Sequence, residues 1–285
     1  MTTQRFAVLG FPVSHSLSPV MQNAGFAACG LDADYESLEV RPDELKKTFS
    51  QLQRNGFSGW NCTVPHKEQA FLLVDDTSPE ARRIGCVNTV IHRNGRLEGH
   101  STDGYGLLTA LAEAFALEPE GRTILLAGCG GAGRSAAFAL AARRPAELIL
   151  ANRTVAKAEA LARELTAAGL PQPPRLTVLS LADRSGLAAA LARADILIQA
   201  TSQGLKPEDP PPFDLDLLPI AGPVVLDMIY RSTPLLRAAA ARGCRIADGS
   251  GMLLHQGARS FTLWTGVAAP VEAMRQALLG ALRQR

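Results

Sequence analysis

The chain has 285 residues, of which 47 % are hydrophobic and 20 % charged, and its 29 Lys and Arg nearly balance 27 Asp and Glu. That composition excludes a disordered chain, and a formal net charge of +2 gives no ground for a nucleic acid or an anionic membrane as partner. The length allows one large domain or two ordinary ones, each with its own core.

Short apolar segments alternate with longer amphipathic ones along the whole chain. Residues 5–10 read as a first strand, since the apolar run 6–9 is too short for a signal-peptide core or a membrane span. A helix is expected over 20–29, a strand over 35–40, and a helix over 43–55 that starts just after Pro42, a favoured first-turn proline. A strand at 57–62 and a short helix at 67–74 follow. Segments 86–92 and 96–99 then form a hairpin around Asn94-Gly95, a strong turn signal. Apolar residues at helical spacing (Leu107, Leu108, Leu111, Phe115) mark a helix over 103–117.

After the break at Glu118-Pro119-Glu120-Gly121 a second cycle begins. Strands are expected at 123–127, 147–151, 176–179, 196–200, 224–227 and 245–247. Helices are expected at 132–142, 155–168, 188–194, 235–242, 253–265 and 271–282. Alternating strand and helix implies parallel sheets covered by helices on both faces. Two such series, parting near residue 103, predict an α/β protein of two domains flanking a cleft. Periodicity leaves open which domain the last helices join. The five cysteines (Cys29, Cys62, Cys86, Cys129, Cys244) show neither a CxxC pair nor zinc spacing, so a reduced cytoplasmic protein without a metal is expected.

The strand at 123–127 runs directly into Gly128-Cys129-Gly130-Gly131-Ala132-Gly133, which contains G-x-G-x-x-G and opens a helix. The motif alone could be a tight turn. Its placement in a strand–helix–strand unit points to a dinucleotide, because glycines let the backbone approach a pyrophosphate at the positive end of the helix. The end of the next strand selects the nicotinamide. An NAD site places an acid there to hold the ribose hydroxyls, whereas this chain has Asn152-Arg153-Thr154 with Lys157 one turn on. Arg153 suits a 2′-phosphate, so NADP is favoured over NAD.

In the first half, polar residues stand at strand ends and turns. Ser16 and Ser18 could offer hydroxyls to a carboxylate, and one of them could cap the next helix ahead of Pro19. Lys67 opens a helix, where the dipole disfavours a cation; a lysine held there against that cost suits proton transfer, although a lone lysine could equally face solvent. His66 reads as structural or pocket-lining. Asp103 could be the N-cap of the helix it precedes. The joint occurrence of these segments carries more than any one of them.

The motifs Ser16-Leu-Ser18-Pro19, Asn61-x-Thr63-x-Pro65-x-Lys67, Val87-Asn88-Thr89, Thr102-Asp103-Gly104, Gly128-x-Gly130-Gly131-Ala132, Asn152-Arg153-Thr154-x-x-Lys157, Ala200-Thr201-Ser202-x-Gly204, Asp227-Met228-x-Tyr230 and Gly251-Met252-Leu253-x-x-Gln256 occur in that order. With them the chain resembles the shikimate dehydrogenase family over essentially its full length. The resemblance implies an N-terminal substrate domain, residues 1–103 plus 254–285, and a C-terminal Rossmann-type NADP domain, residues 104–253. It implies a Lys67/Asp103 catalytic dyad, Ser16 and Ser18 on the substrate carboxylate, and Thr63, Asn88, Asp103, Tyr230 and Gln256 on its hydroxyls. It further implies Gly128, Cys129, Gly130, Gly131 and Ala132 on the pyrophosphate and Asn152, Arg153, Thr154 and Lys157 on the adenosine phosphate. Thr201, Met228 and Gly249 would line the path to the nicotinamide.

The implied reaction is reversible NADPH-dependent reduction of 3-dehydroshikimate by a monomer or homodimer in aromatic biosynthesis. A relative acting on quinate or an aminated shikimate is the nearer alternative; a metabolite-sensing module, which would need neither Lys67 nor Asp103, is the remoter one. Quinate-preferring relatives more often use NAD, so Arg153 favours shikimate. Two departures bear on substrate preference: Ser101 stands where the family usually has Asn, and the segment between Tyr230 and Thr233 is short and lacks a proline.

Overall fold

Strand β1 (Gln4–Gly10) buries Phe6, Ala7, Val8 and Leu9 in succession. An unbroken apolar run suits a strand covered on both faces and paired on both edges, and β1 pairs in parallel with β2 (Ala33–Glu39) and β3 (Phe57–Cys62). The edge strand β2 buries Tyr35 alone among its seven residues, the rest being half-buried or exposed. Residues 3–206 and 208–284 of this computed structural model are described below.

Around these strands lie α1 (Ser18–Ala28), α2 (Leu45–Arg54, after a 3-10 turn at Pro42–Glu44), α3 (Lys67–Phe71), β4 (Asp76–Thr77) and α4 (Pro79–Ile84). Strands β5 (Thr89–Arg93) and β6 (Arg96–His100) follow, then α5 (Asp103–Phe115). The sheet order is β2-β1-β3-β5-β6-β4. Strand β5 runs antiparallel to β6, as the hairpin expected around Asn94-Gly95 requires, and it also runs antiparallel to β3, which departs from the expected parallel pairing. The turn at Asn94 (φ 52°) and Gly95 (φ 75°), with two left-handed residues, sends β6 straight back alongside β5, whereas β5 meets β3 only after the chain has passed through α3, β4 and α4. Helix α4 and strand β4 are absent from the sequence expectation because both are very short. The signal for α4 was present, since Ser78 Oγ accepts from Ala81 N at 3.1 Å and Pro79 occupies the first turn.

The second series is parallel throughout. It comprises β7 (Thr123–Ala127), α6 (Gly131–Ala141), β8 (Glu147–Asn152), α7 (Val155–Ala167), β9 (Arg175–Ser180), α8 (Arg184–Arg193), β10 (Ile196–Gln199), β11 (Val224–Asp227), α9 (Pro234–Ala241) and β12 (Ile246–Ala247). The order β12-β11-β10-β7-β8-β9 reverses between β7 and β10, which is the doubly wound arrangement with its switch point at the carboxyl end of β7. Leu125, Ile149, Leu197 and Val225 lie side by side across four strands and are fully buried. Each such side chain stabilises the unit by about 1.5–3 kcal/mol relative to exposure.

The chain ends in α10 (Ser250–Thr265) and α11 (Val271–Leu282). Two compact units result: Met1–Gly106 with Leu253–Arg285, and Leu107–Met252. In the first, Phe261 of α10 stacks on Phe26 at 5.2 Å, Trp264 donates from its indole to Val90 O at 2.9 Å, and α11 packs on α1. Among the described residues no helix is long and apolar enough to cross a membrane.

Candidate active site

The carboxyl end of β3 turns at residues 63–66 into α3. His66 is fully buried there, and its Nε2–H donates to Val40 O at 2.8 Å. Burial lowers its pKa, so the ring is neutral and serves as a strut between the ends of β2 and β3. Lys67, the next residue, is held at its own carbonyl by Val87 N at 2.9 Å. Its Nζ donates to Asp103 Oδ2 at 2.7 Å, with side-chain exposures of 17 % and 7 % for the two partners.

Asp103 begins α5 just after β6. Its second oxygen accepts from Asn88 Nδ2 at 3.0 Å. Asn88 is fixed in turn, because its Oδ1 accepts from Thr102 N at 2.8 Å and its Nδ2 also reaches Thr102 Oγ1 at 2.9 Å and Gln256 Oε1 at 3.3 Å. Gln256 Nε2 bonds Leu253 O at 3.0 Å. The first unit thus brings Lys67, Asp103, Asn88 and Gln256 into one bonded group from four separate stretches of chain. Thr63 sits over Gly10, where an added Cβ would come within 2.5 Å of the threonine methyl; the close approach needs glycine. Ser18 begins α1 and is buried, and Ser16 Oγ accepts from Ser18 N at 3.3 Å. The N-cap itself is Leu17, which makes no side-chain cap bond, so neither serine is the cap residue.

A half-buried ammonium gripped by a carboxylate, beside an amide donor and amide acceptors, can deliver a proton to oxygen while hydrogen-bonding neighbouring hydroxyls. Ser101 Oγ, beside this group, is buried and has no hydrogen-bond partner among the described residues.

Tyr230, Thr201, Met228 and Gly249 belong to the second unit. There the glycine loop leaves β7 with Gly128 at φ 108°, and an added Cβ at Gly133 would lie 1.9 Å from Gly128 O, so helix and strand close on each other only because Gly133 has none. At Gly130 and Gly131 a Cβ would meet nothing within 4 Å, and Gly130 is the N-cap of α6 without a side chain to occupy the helix's first amides. That is an open, amide-lined cradle of the kind a pyrophosphate requires. Burial pushes the Cys129 thiol up to about 12, so it brings no negative charge to the loop. Asn152 Oδ1 accepts from Cys129 N at 3.1 Å, and Asn152 Nδ2 donates to Thr154 O at 2.8 Å. Arg153, Thr154 and Lys157 are exposed, and the Thr154 hydroxyl makes no cap bond to α7. These residues fit a 2′-phosphorylated dinucleotide.

Two residues given no role in the sequence reading organise the remaining loops. Gln199 and Asp227 are fully buried polar ends of apolar strands, a signal legible in Ile196-Leu-Ile-Gln199 and Val224-Val-Leu-Asp227. Gln199 accepts from Thr201 N and donates to Gln203 O at 2.9 Å. Asp227 accepts from Ile229 N at 3.0 Å and from Thr233 Oγ1 at 2.7 Å, holding the turn that carries Met228 and Tyr230. The short segment after Tyr230 is pinned by Arg231, whose Nε donates to Gly204 O at 2.9 Å.

Desolvation raises the Asp227 carboxyl from 3.8 to about 6 despite its bonds to Ile229 and Thr233, with Asp248 adding to the rise and Arg231 opposing it. A raised carboxyl adds stability at low pH that is lost as the pH climbs through about 6. Asp227→Asn removes that loss. Urea unfolding is therefore expected to show the variant's stability, relative to the parent's, rising by on the order of 3 kcal/mol between about pH 4 and pH 8. A constant difference over that interval would mean the carboxyl ionises normally.

Three family models match the chain: the shikimate dehydrogenase substrate binding domain over residues 8–90, shikimate / quinate 5-dehydrogenase over 110–206, and the shikimate 5'-dehydrogenase C-terminal domain over 249–279. A shikimate dehydrogenase (NADP(+)) of Rubrobacter xylanophilus is 46 % identical over 98 % of this chain and 96 % of its own length. That of Moorella thermoacetica is 43 % identical over 99 % and 94 %. The solved structure of shikimate 5-dehydrogenase from Thermus thermophilus in complex with NADP(H) and shikimate is 38 % identical, covers 98 % of this chain and 99 % of its own, and superposes with a TM-score of 0.84.

Proposed function

This chain belongs to the shikimate dehydrogenase family, and on that premise we propose that it reversibly reduces 3-dehydroshikimate to shikimate with NADPH, using Lys67 and Asp103 as its proton-transfer pair. The observation that carries the assignment of the pair is the 2.7 Å contact between Lys67 Nζ and Asp103 Oδ2 in a group that also holds Asn88 and Gln256. When bound, NADPH supplies the hydride that the C3 carbonyl carbon receives.

Lys67 donates a proton to the oxygen as the carbonyl becomes an alkoxide, so ketone, hydride and proton balance to the alcohol. Asp103 orients Lys67 through Oδ2 and accepts from a substrate hydroxyl. Asn88 and Gln256 bond the remaining hydroxyls, together with Thr63 and Tyr230, and Ser16 and Ser18 hold the carboxylate. In the other unit the glycine loop receives the pyrophosphate, and Asn152, Arg153, Thr154 and Lys157 receive the adenosine phosphate. Thr201, Met228 and Gly249 line the nicotinamide side.

The test is a steady-state comparison of shikimate, quinate and aminoshikimate, each with NADP and NAD. Shikimate with NADP is expected to give the highest kcat/KM. A higher value for quinate would move the assignment to that relative, and no turnover with any pair would leave only the sensing module.

A further inference from the structure

A file of buried polar side chains runs through the first unit and ends on the Asp103 carboxylate. Tyr35, on the edge strand β2, is 2 % exposed and donates its phenol to Asn61 Oδ1 at 2.7 Å. Asn61 Nδ2 lies 3.0 Å from Thr89 Oγ1 and 2.9 Å from Asn88 O. Thr89, fully buried, donates to Asn88 Oδ1 at 3.1 Å, and Asn88 Nδ2 donates to Asp103 Oδ1 at 3.0 Å. Ser260 Oγ lies beside the file, 2.8 Å from Thr89 Oγ1 and 3.2 Å from Asn61 Nδ2, and the file itself ends on the carboxylate that grips Lys67.

Both amides are locked in one orientation by this sequence of donors. Turning Asn61 over would set its oxygen against Asn88 O. Turning Asn88 over would set its oxygen against the Asp103 carboxylate and its NH₂ against Thr102 N–H, which now donates to Oδ1 at 2.8 Å. Burial holds the Tyr35 phenol protonated, which keeps it a donor. Phe and Val would fill the same space as Tyr35 and Thr89 without polar groups to satisfy. Core packing therefore does not account for the hydroxyls, whereas a uniquely oriented polar network does.

We propose that Thr89 and Tyr35 are positioning residues of the reaction, fixing the Asn88 amide and through it the Asp103 carboxylate that orients Lys67. The proposal rests on Lys67 and Asp103 being the proton-transfer pair. Thr89→Val keeps the shape and removes the hydroxyl. It is expected to lower kcat by about tenfold, the scale of one hydrogen bond lost from an ordered site, with KM for shikimate and NADP within about twofold. Thr89→Ser restores the hydroxyl and is expected to return kcat to within about twofold of the parent. Tyr35→Phe, at the far end of the file, is expected to cost about threefold in kcat, and less than that in the Thr89→Val background, where only the bond from Asn61 to Asn88 O and its contact with Ser260 still join the two.

A parental kcat for Thr89→Val, equal losses for the Val and Ser variants, or a loss confined to KM would overturn the proposal. If Thr89→Val does not fold, Tyr35→Phe decides it, a parental kcat there having the same force. Lys67→Ala run alongside separates the two readings: full turnover in that variant sinks the dyad, whereas an inactive Lys67→Ala beside an unimpaired Thr89→Val sinks only the positioning file.

Discussion

Lys67→Ala is expected to lower kcat by about 10² to 10⁴ while the protein remains folded, the range that a positioned general acid supplies. The expectation follows from how the ammonium is held. Lys67 is anchored at its carbonyl by Val87 and at its ammonium by Asp103, so its proton is presented from one fixed place. Alanine removes the ammonium and leaves the Asp103 carboxylate, 7 % exposed, with only Asn88 as a bonded side-chain partner among the contacts described above. Removing one partner of a buried ion pair is itself destabilising, so thermal unfolding must be followed beside turnover. Lys67→Gln separates the two effects, since its amide can still donate to Asp103 yet supplies no proton. Both variants are expected to be slow, with the glutamine form the more stable. Turnover near the parental rate in a folded Lys67→Ala protein would remove Lys67 from the chemistry.

Arg153→Asp is expected to cut kcat/KM for NADPH by about 10²-fold or more and to change that for NADH by less than about threefold, because on the proposed assignment it exchanges a charge-assisted phosphate contact for repulsion of a dianion. The turn that carries Arg153 is fixed on both sides: Asn152 bonds the glycine loop through Cys129 N and the chain ahead through Thr154 O. The arginine is thus set one residue past β8, where an NAD-selective chain carries its acid. The new aspartate could serve the free ribose hydroxyls of NADH, so a small gain with that cofactor is consistent with the same geometry. Equal losses with both cofactors would show that Arg153 does not contact the 2′-phosphate by which NADPH differs from NADH.

Much of the second unit was legible before any fold was known, and particular residues show why. The run from Thr123 to Gly133 carries strand, turn and helix in one continuous stretch, and the cradle it forms is local to that stretch. The first unit was less legible. Its first strands were recognisable from their apolar runs and the β5–β6 hairpin from Asn94-Gly95, yet the antiparallel pairing of β5 with β3 depends on the path through α3, β4 and α4 and lies outside that turn. Gln199 and Asp227 were visible as polar ends of apolar strands, but nothing nearby in sequence indicates that they hold the loops of Thr201 and Met228. Tyr35, Asn61 and Thr89 are less visible still, since a tyrosine on an edge strand reads as ordinary β propensity.

Sequence by itself determined the α/β class, the dinucleotide loop and the lack of an acid at its selecting position. All three depend on neighbours within a few residues, where hydrophobic period and turn chemistry act directly. Only the tertiary structure decided which polar groups meet. Lys67 and Asp103 are 36 residues apart, and Asn88 and Gln256 are 168 apart. Periodicity encodes which face of an element is buried but not which element it packs against. The meeting of those side chains is fixed by strand order, by the register of β3, β5 and β6, and by the placement of α10 in the first unit.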